Sequence, residues 1–419
     1  MPTTIQSALD RISVDRIRRR LDRLSEIGAT ADGGVSRPAY SDAETEAFAY
    51  IRDQLSEGYT VREDSVGNLI ATRAPEADRS IHTGSHLDTV FNGGRLDGAL
   101  GVVSSLEAVD AVYESDADPA YPPTLTVFRA EESARFGHHT VGSRAGLGLL
   151  DVDTFAAADQ NGVPLWRAVQ NAGFRPDNLS EPSIRLDRVA AFLEIHIEQG
   201  RTLEETDTDI GVVSSIRGPV RHRFTVTGNY DHSGATPMTM RRDALAAASE
   251  MIVAIEDVVG DAAADGDVVG TVGTIDPKDG AINTVCGEVV FPLDLRSADA
   301  EYRDTVESTV VDEIERIAAD RDVEVASELI DRTAPVALDA EVVSTLESAA
   351  ESVDTRYRRM PSGGGHDAMN FQRTGIPAGM LFVPSIDGVS HHPDEETTTR
   401  AIRDATRTLT RTLLQYERP

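Results

Sequence analysis

The 419-residue sequence contains one cysteine, Cys286, and one lysine, Lys278. A single cysteine excludes an internal disulfide, and such low cysteine usage is typical of a reducing cytoplasm, where we expect the protein to be located. No run of 18 apolar residues is present, so we expect no transmembrane helix. The basic segment RIRRRL at 16–21 is not followed by an apolar stretch, so we expect no signal peptide either.

Positive charge is also scarce, because 40 basic residues face 71 acidic ones and give a formal net charge of -31. The acidic residues are spread along the whole chain rather than gathered in a tail, which indicates a general surface adaptation. Nucleic acid is excluded as an expected partner because its phosphates would be repelled, and no membrane partner is expected. Our hypothesis is a halophilic cytoplasm, in which high salt screens the self-repulsion of the surface.

The first part of the chain alternates helical and extended patterns. Residues 13–27 and 43–56 have helical periodicity, and the segments 81–86, 124–130 and 191–198 are predicted strands. A mixture of this kind predicts an α/β layer structure, and the chain length allows two or three domains.

Residues 212–331 are predicted to form a separate unit inserted into the first domain. Their patterns follow the order β-α-β-β-α-β, which is that of a ferredoxin-like sandwich, and Ser297 is a plausible N-cap of the second helix. The first domain would then consist of residues 1–211 and 332–419, and it would end in a helix at about 396–415.

Residue types that bind metals occur in four separated segments near predicted strand ends. They are His86, Asp88 and Asp97 in the first segment, the pair Glu131 and Glu132, His196 and His391. In the first segment, one imidazole nitrogen of His86 can bind a metal while Asp88 orients the ring through the other. Adjacent residues after a strand point in different directions, so one glutamate can bind a metal while the other serves as a base.

Each segment taken alone has an ordinary structural explanation. A Glu-Glu pair is usually a solvated surface feature, His-His pairs usually lie in loops, and glycine-rich stretches often serve only tight turns. The combination favours a metal site, because a two-metal centre needs several nitrogen and oxygen ligands from separate segments.

Six motifs in order resemble those of the hydantoinase/carbamoylase amidases, which belong to the aminoacylase/carboxypeptidase superfamily of two-metal hydrolases. The resemblance spans residues 84 to 396 and rests on GSHLDTV–x3–GRLDGALGV, FRAEESARFG, LEIHIEQG, HSGATPM–x2–RRDAL, FPLDLR and SGGGHDAM…GVSHHPDEE. It implies a metallopeptidase-like α/β catalytic domain with an inserted ferredoxin-like α+β dimerisation (lid) domain. It also implies a homodimer.

The resemblance implies a role for each matching residue. One metal would be held by His86, Asp97 and His196, and the other by Asp97, Glu132 and His391. Glu131 would be the general base and Asp88 would orient His86. The residues that match substrate-contacting positions are Gln199, Arg221, His232, Asn283 and Arg296. His232 is placed to stabilise the oxyanion. It would reach an active site either by domain closure or from a partner subunit, and the resemblance favours the partner subunit.

The histidine at position 196 bears on the branch of the family. The resemblance implies that the exopeptidase branch of the superfamily uses a carboxylate at that ligand position, whereas the histidine in HIEQ is typical of the amidases. Arg296 suits a carboxylate, since its guanidinium binds in a bidentate manner. The expected substrate is therefore a small carboxylated amide, either an N-carbamoyl amino acid or a ureido acid such as allantoate.

Several alternatives stay open at the level of the sequence. The site could belong to a di-metal dipeptidase or an N-acyl amino acid deacylase of the same superfamily. A non-catalytic binding protein would have lost a ligand or Glu131, and neither is lost. Zinc is our first expectation for the two divalent ions, and manganese, cobalt or nickel would suit the same ligands.

Overall fold

The chain folds into two compact units. In a computed structural model that describes residues 2–176 and 181–417, the first unit runs over Met1–Ser214 and Leu338–Pro419 and the second over Ser215–Ala337. The boundaries of the units thus lie at 214/215 and 337/338, whereas the sequence placed them at 211/212 and 331/332.

The elements of the two units follow in chain order. The first unit opens with α1 (Pro2–Asp10), α2 (Val14–Glu26), α3 (Asp42–Gln54), β1 (Thr60–Glu63), β2 (Leu69–Thr72), β3 (Ser80–His86), α4 (Ala99–Tyr113), β4 (Pro123–Phe128), α5 (Val141–Gly146), α6 (Val152–Ala156), α7 (Leu165–Asn171), β5 (Val189–Ile197), α8 (Thr202–Glu205) and β6 (Ile210–Ile216). The second unit contains β7 (Gly218–Thr227), β8 (Asp231–His232), α9 (Ala244–Asp265), β9 (Val269–Thr271), β10 (Asp276–Pro277), β11 (Thr284–Val285), β12 (Glu288–Ser297), α10 (Ala300–Asp320), β13 (Glu324–Arg332) and β14 (Val336–Ala337). The first unit resumes with α11 (Ala340–Ser352), β15 (Tyr357–Ser362), α12 (Asp367–Arg373), β16 (Ala378–Val383) and α13 (Thr399–Gln415).

A mixed sheet organises the first unit, and the mixed α/β class predicted from the sequence is confirmed. Its described strands lie in the order β1-β2-β4-β3-β5-β16-β6, and β15 also pairs with β6. The central strands β4, β3, β5 and β16 are parallel, with His86 opposite Phe128 and His196 opposite Phe382. Because the carboxyl ends of parallel strands meet at one edge, residues at or after these ends are brought together there.

Helix α4 forms the centre of the core of the first unit. All its residues from Ala99 to Val112 are buried, and it packs against β3, β4 and β5. Across the sheet, the rings of Phe192 and Phe371 stack with centroids 4.1 Å apart. Glu107 of α4 is fully buried and accepts hydrogen bonds from Arg16 and Arg20 of α2.

The second unit has an antiparallel sheet with two long helices. Its strands lie in the order β10-β12-β7-β13, with β9 also paired to β12, and the short strands β8, β10 and β11 are additions to the predicted order β-α-β-β-α-β. The strand that follows α9 is short and contains only Val269–Thr271. Where the chain enters and leaves this unit, Ser215 pairs with Ala337 and Ile216 with Val336.

The N-cap of α10 corrects the sequence interpretation. The cap is Asp299, whose carboxylate accepts hydrogen bonds from the amides of Glu301 and Tyr302, and not Ser297. Ser297 still belongs to β12, and its hydroxyl accepts the amide of Asp299. The strand therefore includes Ser297, and the helix begins two residues later than expected.

Among the described residues, no helix combines the length and apolar character needed to cross a membrane.

Two glycine substitutions test how tightly α4 is packed. An added Cβ at Gly101 would lie 2.0 Å from the carbonyl oxygen of Ile195, so Gly101→Ala must displace α4 from β5. We expect its free energy of unfolding to fall by about 1–3 kcal/mol in urea denaturation. The matched control is Gly260→Ala in α9, where the added Cβ meets nothing within 4 Å. In this control we expect the free energy of unfolding to rise by about 0.5–1 kcal/mol, because alanine is more stable than glycine inside a helix. Equal effects of both changes would contradict the close packing of α4.

Candidate metal centre

Four chain segments deliver the metal-binding residue types to one place. His86 is the last residue of β3, Glu131 and Glu132 follow β4, His196 is the penultimate residue of β5, and His391 follows β16. Asp97 comes from the loop between β3 and α4. These side chains fall into two groups that could each hold a metal ion, namely His86, Asp97 and His196, and Asp97, Glu132 and His391.

The carboxylate of Asp97 belongs to both groups. Its Oδ1 lies 3.1 Å from Nε2 of His196 and 3.5 Å from Nε2 of His86. Its Oδ2 lies 3.3 Å from Nε2 of His391, which is itself 3.3 Å from Oε1 of Glu132. Each oxygen of Asp97 therefore faces a different set of ligands, as a bridging carboxylate requires.

The two buried histidines have the tautomer that a metal ligand needs. Nδ1 of His86 donates to the carbonyl of Asp88 at 3.1 Å, and Nδ1 of His196 donates to the carbonyl of Ile197 at 2.9 Å. Because a carbonyl only accepts, both rings carry the proton on Nδ1 and present the lone pair of Nε2. Nε2 of His86 is buried without a hydrogen-bond partner, so the site fits an electron-pair acceptor such as a metal ion.

The electrostatics of the cluster also fit cations. Burial raises the pKa of Glu131 well above its ordinary value, against the opposing effect of His86. Burial acts in the same direction on Asp97, but His196 and the other histidines outweigh it and hold the pKa of Asp97 well below its ordinary value. Hydrogen bonds to Asp97 and Glu132 raise the pKa of His391 to about 11. Positive charge on the histidines thus stabilises the carboxylate of Asp97, whereas burial dominates at Glu131.

Asp88 holds the turn that carries the two glutamates. Its Oδ1 accepts the amide of Glu131 and its Oδ2 accepts the amide of Glu132, each at 2.9 Å. The Nδ1 atom of His86 lies 3.5 Å from Oδ1 of Asp88 but closer to its backbone carbonyl. The backbone of Asp88 therefore orients His86, and its carboxylate orients Glu131 and Glu132.

Glycines make room for this packing in the loop that contains Asp97. Gly98 has φ +64°, and a Cβ there would lie 2.5 Å from the ring of His86. At Gly94 a Cβ would lie 2.2 Å from the carboxylate of Glu395. That carboxylate accepts the amides of Leu96 and Asp97 at 2.8 and 3.0 Å, so it fixes the backbone of Asp97.

Gln199 lies against the same cluster. Its Nε2 donates to Oδ2 of Asp97 at 3.1 Å and lies 3.1 Å from Nε2 of His391. The loop at 363–365 approaches it, and a Cβ at Gly364 would lie 3.0 Å from Oε1 of Gln199. The side-chain amide of Gln199 therefore contacts members of this cluster directly.

Two of the expected substrate-binding residues lie side by side on the sheet of the second unit. Arg221 of β7 is opposite Asp294 of β12, and Arg296 is two residues further along β12. Asp294 accepts Nε of Arg221 at 2.8 Å and binds Arg296 through Nε and Nη2 at 2.7 and 2.9 Å. Arg221 also pairs with Asp331. The sequence did not single out Asp294, which fixes both guanidinium groups.

The other two residues of the second unit lie together at a short strand pair. His232 is opposite Thr284 in the β8–β11 ladder, and the amide of Ser233 donates to the carbonyl of Asn283. His232 is exposed, and its Nδ1 accepts the amide of Gly234 at 3.1 Å. In the neutral ring the proton is therefore on Nε2, where it can be donated to a negatively charged oxygen.

Further buried residues support the centre and were missed from the sequence. They are Glu395, Glu44, Arg129 and Arg37. Glu395 stood in the quoted GVSHHPDEE motif but carried no assigned role. Arg37 is fully buried, and its Nε donates to the carbonyl of Leu87 at 2.9 Å, between His86 and Asp88. Nothing in its local sequence indicates this contact, because it depends on two segments 50 residues apart.

Comparison with known proteins agrees with these observations. Residues 82–415 match the peptidase family M20/M25/M40. The chain is 38% identical over 391 residues to N-carbamoyl-L-amino acid amidohydrolase of Geobacillus stearothermophilus, covering 92% of this chain and 94% of that protein. It is 33% identical over 406 residues to allantoate amidohydrolase of Escherichia coli K12, covering 95% and 97%.

Solved structures resemble it as closely. A hydantoinase/carbamoylase family amidase from Burkholderia multivorans superposes with a TM-score of 0.88 at 32% identity, covering 96% of this chain and 98% of that one. With these matches over most of its length, the chain belongs to the peptidase family M20/M25/M40 and, within it, to the hydantoinase/carbamoylase amidases.

Proposed function

We propose that this chain is a metal-dependent amidohydrolase that cleaves a linear C–N bond of an N-carbamoyl amino acid or of a ureido acid such as allantoate. One observation carries the proposal. The two oxygens of Asp97 face two separate ligand groups, and Glu131 lies 3.7 Å from Nε2 of His86 but belongs to neither group. The functions of the related amidohydrolases support the same reaction class.

The ligand groups would hold two divalent ions. His86, Asp97 and His196 would bind one, and Asp97, Glu132 and His391 the other. Nitrogen and oxygen donors of this kind suit zinc, and they also suit manganese, cobalt or nickel. Bound there, the ions would supply a water of lowered pKa and would polarise the carbonyl group of the substrate.

Glu131 would act as the general base. Its carboxylate would take a proton from the attacking water and return it to the leaving nitrogen as the C–N bond breaks. The amide hydrogen bonds from Glu131 and Glu132 to Asp88 support this role, since they fix the turn without occupying the carboxylate of Glu131. For a carbamoyl substrate the products are the free amino acid, ammonia and carbon dioxide.

Arg296 would bind the carboxylate of the substrate, with Arg221, Asn283 and Gln199 as further contacts. Arg296 donates through Nε and Nη2 to Asp294, which also accepts Nε of Arg221. The ion pair also fixes the orientation of the guanidinium in advance, which favours bidentate recognition.

His232 would stabilise the oxyanion through the proton on its Nε2. We further propose that the second unit is a dimerisation (lid) domain inserted between the two parts of the catalytic domain, and that the chain acts as a homodimer. In that arrangement His232 would complete the site of the partner subunit, as the family resemblance implies.

His196 favours an amidase over the alternative, a di-metal dipeptidase or N-acyl amino acid deacylase. A substrate panel separates these activities. We expect ammonia and free amino acid from N-carbamoyl-L-amino acids, or ammonia from allantoate, and little turnover of dipeptides and N-acetyl amino acids, with zinc, manganese, cobalt and nickel each tested. Cleavage of dipeptides or N-acetyl amino acids alone would overturn the proposal.

The control for this panel is Glu131→Gln, which keeps the shape of the side chain and removes the base. We expect it to retain the metal content of the wild type and to lose turnover by about 100- to 10,000-fold. If metal content falls together with activity, Glu131 is a ligand and not the base.

The charge of the chain sets the conditions of the assay. We propose a salt-rich cytoplasm as its working environment, because the net charge of -31 is spread over the chain. Charges are screened from one another beyond about 3 Å at 1 M salt, but only beyond about 10 Å at 0.1 M salt. Activity and circular dichroism are therefore expected to persist in molar KCl and to be lost on dialysis to low salt. Equal melting temperatures at both salt concentrations would contradict salt adaptation.

Mixing inactive variants tests the exchange of His232 between subunits. Glu131→Gln mixed with His232→Ala should recover about a quarter of wild-type activity, since half of the dimers would be mixed and each would contain one complete site. Glu131→Gln mixed with His86→Ala is the control, because both changes damage the catalytic unit and no complete site can form. No recovery in the first mixture, with mixed dimers seen by mass spectrometry, would mean that His232 does not act on the partner.

A further inference from the structure

The turn that follows β4 has an unusual backbone. Ala130 has φ +55°, a left-handed conformation that costs free energy for any residue with a Cβ. Glu131 and Glu132 come directly after it, so the direction of both carboxylates depends on keeping Ala130 in this conformation. Strain of this kind persists only where the surroundings determine it.

Two buried carboxylates accept the three successive amides of this turn. The amide of Ala130 donates to Oε1 of Glu44 at 3.3 Å, and those of Glu131 and Glu132 donate to Asp88. A normal helix or strand would pair these amides with carbonyl groups. Here side chains from distant segments take that place, and Glu44 holds the amide of the strained residue itself.

Glu44 is in turn fixed by its own partners. It is fully buried near the start of α3, and its Oε2 accepts Nη1 of Arg129 at 2.6 Å and the amide of Tyr40 at 2.7 Å. Arg129 is 1% exposed, lies with its guanidinium carbon 4.0 Å from the ring centroid of Phe48, and donates through Nε to the carbonyl of Gly67. The pair is therefore desolvated and has a single geometry.

We propose that Glu44, paired with Arg129, is a positioning residue for Glu131 and Glu132. It holds Ala130 in the left-handed conformation and thereby aims the base and one metal ligand. Glu44 precedes residues 82–415, which match the peptidase family. Helix α3 thus contributes to the site through Glu44. This inference uses the roles of Glu131 and Glu132 from the proposed function.

The test substitutes Glu44→Gln and compares it with Glu107→Gln. Both glutamates are fully buried in the first unit and accept hydrogen bonds from arginine, but Glu107 joins α2 to α4 away from the turn. The side-chain NH2 of a glutamine at position 44 would face either the amide of Ala130 or the guanidinium of Arg129. Because both of these groups are donors, one hydrogen bond of Glu44 would be lost. We expect cobalt(II) affinity of one site, read from its absorption titration, to fall about 10- to 100-fold. The kcat of the loaded enzyme should fall by a similar factor at unchanged KM, and Glu107→Gln should change neither.

Rescue separates positioning from a loss of stability. Ala130→Gly added to Glu44→Gln should restore part of the cobalt(II) affinity and of kcat, because glycine adopts the left-handed conformation without a steric penalty. If Glu44→Gln does not fold, Glu44→Asp takes its place, since it keeps the charge but is too short to reach both partners.

The outcomes are distinct. Wild-type cobalt(II) affinity and kcat in the folded Glu44 variant, or equal losses in Glu107→Gln, would overturn the proposal. A wild-type enzyme that hydrolyses no amide in the panel would contradict the proposed function alone, because the cobalt(II) titration does not depend on the substrate.

Discussion

The sharing of one buried carboxylate between two ligand groups is the constraint on which the rest of the site depends. Oδ1 of Asp97 faces His86 and His196, and its Oδ2 faces His391. A carboxylate can contact both groups only if the four chain segments that carry them end close together at one edge of the sheet. The parallel strands β3, β4, β5 and β16 meet this requirement, since their carboxyl ends lie at one edge. The fold of the first unit is therefore a means of bringing distant residues to one point.

Buried backbone amides complete this arrangement. Glu395 accepts the amide of Asp97, Asp88 accepts those of Glu131 and Glu132, and Glu44 accepts that of Ala130. Each of these carboxylates lies outside the two ligand groups, and each comes from a segment remote from the backbone it holds. Such contacts orient ligands and raise the free-energy cost of moving them.

The sequence predicts the parts of this structure that depend on local patterns. β3 and β5 follow from their extended apolar patterns, and the spacing of the metal-binding residues relative to strand ends follows with them. Helix α4 did not follow, because its residues from Ala99 to Val112 are buried on every side and have no polar face. The S-x-x-E spacing of Ser41 and Glu44 indicates a helix cap, and Ser41 does accept the amide of Glu44. The second contact of Glu44, with Ala130, joins residues 86 positions apart and has no local signal.

The central claim is that Asp97 is shared by two metal ions. Its most direct measurement is the zinc content of the purified protein by inductively coupled plasma mass spectrometry, for the wild type, Asp97→Asn and His391→Ala. The account predicts two zinc ions per chain in the wild type, one in His391→Ala and a loss from both sites in Asp97→Asn. An Asp97→Asn variant that loses only one ion, or a wild type that binds only one at saturation, would contradict it.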